Sequence, residues 1–216
     1  MSQSDSQHDA VLANMYRRRS VRKFKPDAVP DDVIRDLVEA ACIAPAGGNV
    51  RVCRFMAIRN RETLSAAAGA VTKKVADIRG HVSSGKAQQR YDGYTSHFAH
   101  FGDAPCVIGV VAKEYDSIYS RIIDKYVPEE ARPEQHLVDI TSMNIAVAIE
   151  NLLLAATSKG YGACFMTGPM VAQKELETLL GVEDPWHLVA LVPVGIPRSD
   201  ASEKPKPSLE DVLSMD

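Results

Sequence analysis

Cysteine is scarce in this chain: four residues in 216, Cys42, Cys53, Cys106 and Cys164, with no Cys-x-x-Cys pair among them. That excludes zinc ribbons and thioredoxin-type redox motifs and leaves reduced, mostly buried thiols. Long apolar runs are missing as well, since no stretch approaches the roughly 20 apolar residues of a membrane span. The amino terminus has neither the basic start nor the apolar core of a secretory signal. Residues 1–10 are therefore expected to be a disordered tip, and the protein cytoplasmic. Nor is there an excess of positive charge. The net charge is −3, so nothing global asks for nucleic acid or an anionic membrane as partner. No Gly-x-Ser-x-Gly, His-Glu-x-x-His or paired-carboxylate loop is present, which leaves hydrolytic chemistry without a carrier.

What is there reads as one folded domain. Hydrophobic residues make up 45%, the share of an ordinary globular chain. Val11, Leu12, Met15 and Tyr16 form the stripe of a short amphipathic helix, and Val33 to Cys42 repeat that pattern behind Pro30, Asp31 and Asp32. Pro45 and Gly47-Gly48 stop the second helix, and residues 50–58 read as a strand. Residues 61–100 read as helix, loop and helix, and residues 104–111 as a buried strand. Residues 113–136 are charged and Tyr-rich, helical in pattern up to Tyr126 and interrupted at Pro128 and Pro133. Residues 137–159 form the longest helix, apolar on nearly every face and so expected in the core or between subunits, with Gly160 just past its end. Two short strands, 163–166 and 188–194, flank a helix over 173–180. The result is an α+β domain over 11–196 with about four strands, followed by a Pro-rich extended arm over 197–216.

Against the negative net charge stands a local cluster, six basic residues in the nine from Arg17 to Lys25. Arg forks and a Ser hydroxyl at a helix-to-loop junction suit a phosphate or another anion; a solvated basic face is the alternative. Ala44-Pro45-Ala46-Gly47-Gly48-Asn49 is a loop of tiny residues that lets a planar ligand approach, or is a simple turn. Seven of the thirteen aromatics lie between Tyr91 and Tyr126, the make-up of a pocket wall for an aromatic ligand or of helix packing. Three motif-like patterns fail on inspection. Gly160-Tyr161-Gly162 follows a helix instead of opening one, Gly80 to Lys86 has Ala87 where a phosphate loop needs Ser or Thr, and His97, His100 and Asp103 do not share one helical face. Anion binding without acid–base machinery fits an enzyme whose cofactor carries the reaction.

In this order, Arg-Arg-Ser-Val-Arg-x-Phe, Ala-Pro-x-x-Gly-Asn, Glu-Asn-Leu-Leu-Leu-Ala-Ala and Gly-Tyr-Gly-Ala-Cys-Phe-Met-Thr-Gly-Pro resemble the FMN-dependent nitroreductase family. The resemblance covers about residues 12–212. It implies a nitroreductase-like α+β flavoprotein fold with a mainly antiparallel central sheet. It also implies a homodimer with one FMN in each of two interface sites, and a C-terminal arm that wraps the partner. Carried over, Arg18, Arg19, Ser20 and Arg22 would bind the FMN phosphate, ribityl chain and pyrimidine edge. Pro45, Ala46, Gly47 and Asn49 would form the loop offered to the partner's flavin. Thr167 and Gly168 would lie near flavin N5, while Lys204 and Lys206 would close on the phosphate. Tyr91, Tyr94, Phe98 and Phe101 are assigned to the substrate pocket. Ala46 stands where the family often has Ser, and Arg51-Val52-Cys53 where it often has Gln-Pro-Trp, which makes Arg51 a pocket residue suited to an anionic substrate or a nicotinamide phosphate. The implied activity takes electrons from NADH or NADPH through flavin N5 to a small electron-poor acceptor, a nitroaromatic or quinone, by a ping-pong mechanism. A flavin binder with little turnover, and dehalogenating or flavin-cleaving variants, are the alternatives.

Overall fold

The computed structural model describes residues 3–47, 52–132, 139–199 and 208–215. Its centre is a four-stranded antiparallel sheet of β1 (Cys53–Ile58), β2 (Cys106–Ala112), β3 (Gly162–Ala163) and β4 (His187–Gly195) in the order β1-β2-β4-β3. Helices α1 (Gln3–Arg17), α2 (Asp31–Cys42) and α6 (Ile140–Ser158) lie on one side of the chain's plan, and α3 (Arg61–Arg79), α4 (Gly85–Thr95) and α7 (Gln173–Leu180) on the other. Helix α5 (Ile118–Tyr126) buries none of its own residues.

An antiparallel strand usually alternates apolar and polar positions, yet every residue of β2 is buried. Side-chain alternation resolves this. Cys106, Ile108, Val110 and Ala112 enter a core with α2 and α6, while Val107 and Val111 enter a second core with α3 and α7. The sheet is thus covered on both faces, and its central strands are apolar throughout. Phe101 is fully buried in the second core.

Helix α6 is the one described helix long and apolar enough to cross a membrane by composition, with a mean hydropathy of 1.4 over its best window. Its Ile149, Leu152 and Ala156 are instead fully buried against α2 and the sheet. Helix α6 is apolar on nearly every face, as read, and in the single chain its Ile140, Met143 and Val147 stay exposed along one stripe. Two boundaries differ from the sequence reading. Helix α1 starts at Gln3, where a disordered tip was expected, because a helix once nucleated at the apolar stripe extends through polar residues at little cost. Strand β3 stops at Ala163; the Cys164 amide still donates to the Pro193 carbonyl at 3.3 Å, Phe165 turns outward, and a further bridge joins Met166 to Leu191.

The segment after α1 is tied into this frame at two places. Ser20 forms a parallel bridge with Ala163, and the Val21 amide donates to the Ala163 carbonyl at 3.0 Å. Lys25 N–H donates to the Ile196 carbonyl at 2.8 Å, and Arg198 N–H to the Lys23 carbonyl at 3.0 Å. Both ends of the chain therefore meet at the β3 edge of the sheet. A Cβ at Gly162 would stand 2.7 Å from the Val21 side chain, so this close crossing requires glycine.

Candidate functional site

The parallel bridge of Ser20 to Ala163 is what builds the site. It carries Arg22 to a cleft of about 290 Å³ whose other walls are Gly93, Tyr94, His97, Phe98, Cys164, Phe165, Met166, Thr167, Gly168 and Pro169. The basic segment and the Thr167–Gly168 turn, far apart in sequence, thus share one cavity. Tyr94 and Phe98 meet edge to face, 5.5 Å between ring centres, as one aromatic wall.

The basic residues are not equivalent. Arg18 gives its Nε to Glu150 of α6 at 3.1 Å. Arg19 turns its Nη1 back to the carbonyls of Tyr16, at 2.5 Å, and Arg18, at 2.8 Å, where a cation suits the carboxyl end of α1. Arg22 is exposed, and among the described residues its hydrogen bonding is one long contact, 3.5 Å to the Ser20 carbonyl. Of the predicted anion binders Arg22 is therefore the one whose fork is open to the cleft. Ser20 is exposed beside it.

Of the four aromatics assigned to a pocket wall, Tyr94 and Phe98 line the cleft. The other two serve packing. Phe101 is fully buried in the core, and the Tyr91 hydroxyl donates to the Val75 carbonyl at 3.0 Å, fastening α4 to α3. Residues missed as cleft walls are His97 and Met166. His97 stands three residues before His100, a spacing that points to a metal set only if the two ring nitrogens converge. Instead the rings pack edge to face, 5.0 Å between centres.

The tiny-residue loop lies elsewhere. Ala44, Pro45 and Ala46 border a small cavity with Ala41, Cys42, Val52, Cys53, Phe55, Asn144 and Ala148, and no residue lines both cavities. Gly47 N–H donates to Asn144 Oδ1 at 3.3 Å, while Asn144 Nδ2 is buried without a partner. A polar residue at this point of an apolar helix was the available signal for that anchor. Asn49, Arg51, Lys204 and Lys206 lie outside the described residues.

Two titratable groups of the cleft region are displaced from their ordinary range. Burial holds His100 below the usual imidazole value, helped by the positive charge of His97 and Arg22. Burial pushes the Cys164 thiol up, against the pull of Arg22, a Ser20 hydrogen bond and Arg18. The unfolded chain therefore takes up the His100 proton more readily than the folded one. Stability conferred by a neutral His100 should be intact above the ordinary imidazole range and lost as pH falls through about 6.5 and below. Urea midpoints measured from pH 8 to pH 5 should fall less steeply in His100→Gln than in wild type, because the variant lacks this imidazole.

Glycine at 168 is required by contact. A Cβ there would lie 2.4 Å from the Phe98 ring. Gly168→Ala is expected to cost about 1–3 kcal/mol by overpacking and to turn Phe98 into the cleft. Adding Phe98→Ala should recover part of that loss, read as a coupling of at least about 0.5 kcal/mol in a double-mutant cycle of denaturant midpoints.

Comparison with known proteins gives a consistent picture. The Nitroreductase family model matches residues 15–196. The chain is 26% identical over 216 residues to YfhC of Bacillus subtilis, named as a provisional NAD(P)H nitroreductase, with 98% of this chain and 97% of that one covered. A BluB-like flavoprotein from Clostridium difficile superposes with a TM-score of 0.84 at 27% identity, covering 95% and 98% of the two chains. A nitroreductase with bound FMN from Desulfitobacterium hafniense shares the fold at a TM-score of 0.69 and 19% identity, covering 95% and 98%.

Proposed function

Because its residues 15–196 match that family's model, the chain belongs to the nitroreductase family, and on that premise we propose that it is a cytoplasmic, homodimeric FMN oxidoreductase taking electrons from NADH or NADPH. The observation that carries the reading is the single cleft shared by Arg22 and the Thr167–Gly168 turn. FMN bound there supplies hydride acceptance and donation at N5. The residues fit such a group. A phosphate of about −2 charge needs a planar cation with an uncommitted fork, and Arg22 offers one, with Ser20 beside it. Arg18 and Arg19, engaged with Glu150 and with the α1 carbonyls, supply positive potential near the same end. The turn at Thr167 and Gly168 brings backbone close to the cleft, and Tyr94 and Phe98 give it one aromatic wall.

The dimer enters because one chain holds the pieces apart. The Pro45–Gly47 loop and the Arg22 cleft share no wall, which supports a loop offered to the flavin of a second copy. The exposed stripe Ile140, Met143 and Val147 on α6, with Ile43 beside the loop, is the surface that a second copy would cover. Residues 208–215 present Leu209, Val212, Leu213 and Met215 to solvent, an arm suited to lie on that copy. Asn49, Lys204 and Lys206 are proposed to complete the cofactor site, and Arg51 to face the acceptor. All four cysteines are free thiols, as a reducing compartment allows.

The acceptor proposed is a small electron-poor molecule, a nitroaromatic or quinone, that enters after the nicotinamide leaves. The test is the visible spectrum of the purified protein under nitrogen. It should show bound flavin, bleach with NADH or NADPH, and recover with a quinone. Persistent oxidised flavin would make the chain a binder, and flavin that never returns after exposure to air would assign it the flavin-cleaving chemistry.

A further inference from the structure

Reduction of a quinone or a nitro group needs a proton as well as a hydride, and hydride chemistry alone leaves the proton without a source. We propose that His97 is that source: its imidazolium donates the proton to the acceptor bound in the Arg22 cleft. The inference rests on the function proposed above.

The cleft narrows the choice of donor. Its described titratable walls are Arg22, Tyr94, His97 and Cys164. A guanidinium does not release its proton, and phenols and thiols hold theirs well above neutral pH. The Cys164 thiol is moved further that way by burial. Imidazole is the side-chain type that exchanges protons near neutrality, and His97 is exposed, so water can restore what it gives away. It shares the cleft with Thr167 and Gly168, where the hydride would arrive.

A second observation concerns His100. Its ring stands edge-on to His97, 5.0 Å between centres, and its Nδ1 is buried with no partner. Burial and the neighbouring cations hold His100 below the usual imidazole value, which leaves His97, exposed in the cleft wall, as the imidazole of the pair in contact with water. The charged and titratable groups around the pair are Arg22 and Lys23 from the segment after α1, Tyr94 from α4, Cys164 from the sheet edge and Asp103 from the following turn. Beside its burial, Arg22 and Lys23 press His100 to give up its proton, and Asp103 opposes them.

The step balances. A quinone gains hydride, with its electron pair, from the cofactor reduced by NAD(P)H. The Nε2–H or Nδ1–H bond of His97 breaks as a quinone O–H bond forms. The products are hydroquinone and neutral imidazole, which takes its next proton from water.

Ferricyanide accepts electrons without a proton and so isolates the step. Holoprotein reduced anaerobically with dithionite is mixed with p-benzoquinone or with ferricyanide, in wild type and His97→Gln. At pH 7 the quinone-to-ferricyanide rate ratio should fall about 100-fold in the variant, and its decline with rising pH through the imidazole range should vanish. An equilibrium readout accompanies it. Hydroquinone added to oxidised holoprotein should move the His97 titration seen by 13C-imidazole NMR by roughly 0.5 in pH. A ratio within about 2-fold of wild type, with His97 unmoved by hydroquinone, overturns the proposal. Dithionite reduces the flavin whatever the natural donor, so failure of NAD(P)H to bleach wild type removes the dehydrogenase reading and leaves the His97 test standing. Protein that holds no flavin overturns both.

Discussion

On the proposed dimer, wild type should run at twice the 23.5 kDa chain and Val147→Glu as a monomer, with loss of flavin. Val147 is 41% exposed, Met143 59% and Ile140 43%, in a helix whose opposite face is fully buried. Positions 140, 143 and 147 fall one turn apart on a single stripe. A carboxylate placed there costs a lone chain almost nothing, since water already reaches the site. Covered by a second copy it would be an unpaired buried charge, at a cost of several kcal/mol. That is on the order of 1,000-fold in the dimer constant or more. Light scattering behind a sizing column at about 10 μM resolves the two masses, and the absorbance of the same peak reports flavin. A Val147→Glu protein that runs as a dimer and stays yellow would place the subunit contact elsewhere and remove the role given to the Pro45–Gly47 loop.

Arg22→Glu should weaken FMN binding by about 100-fold to 1,000-fold without unfolding the chain. Charge-assisted hydrogen bonds are worth about 1.5–3 kcal/mol, and reversal of the charge adds repulsion of the phosphate to their loss. Arg22 is exposed and its described hydrogen bonding is one long contact to the Ser20 carbonyl, so little of the fold depends on it. Arg121→Glu is the control for net charge: Arg121 is exposed on α5 and paired with Asp116 at 3.2 Å, away from the cleft walls. Quenching of FMN fluorescence on titration into flavin-free protein gives both constants. If the Arg22 and Arg121 variants bind FMN equally well, the phosphate is held by other residues.

The sequence was legible where local pattern and punctuation agree. Helix α2 ends at Cys42 and α7 runs Gln173–Leu180, as read, because each carries a strong apolar stripe between clear start and stop residues. Gly160, read as the residue just past α6, has a φ of +79°, a conformation that favours glycine. Patterns that depend on a partner element were read less well. Phe101 belongs to the core because α3 packs over the turn that carries it, and the aromatic clustering of residues 91–126 carries no trace of that. Two of the four aromatics assigned to a pocket face the cleft, and two hold helices together.

The site itself is a product of long-range pairing. Nothing near Arg22 announces that Ser20 will lie beside Ala163, and nothing near Thr167 announces a guanidinium opposite. Family resemblance supplied that juxtaposition, since ordered motifs preserve a neighbourhood that periodicity does not encode. It did not distinguish among the arginines. Their different engagements, Arg18 with Glu150 and Arg19 with its own helix end, depend on the rotamers the fold selects.

The bridges of Ser20 to Ala163 and of Phe24 to Pro197 set an order of events during synthesis. Ser20 leaves the ribosome 143 residues ahead of Ala163, and Phe24 173 residues ahead of Pro197. Until residues 163–169 emerge, the arginines around Ser20 have no cleft to complete, and the nascent chain carries an unshielded cationic stretch. The hairpin of β1 and β2 can form earlier, but β4 must be made before β2 is paired on its second edge. A chain truncated before Ile196 would keep the bridge of Ser20 to Ala163 and most of its hydrophobic residues, and lose the second tie that holds its anion-binding segment, that of Phe24 and Lys25 to residues 196–197.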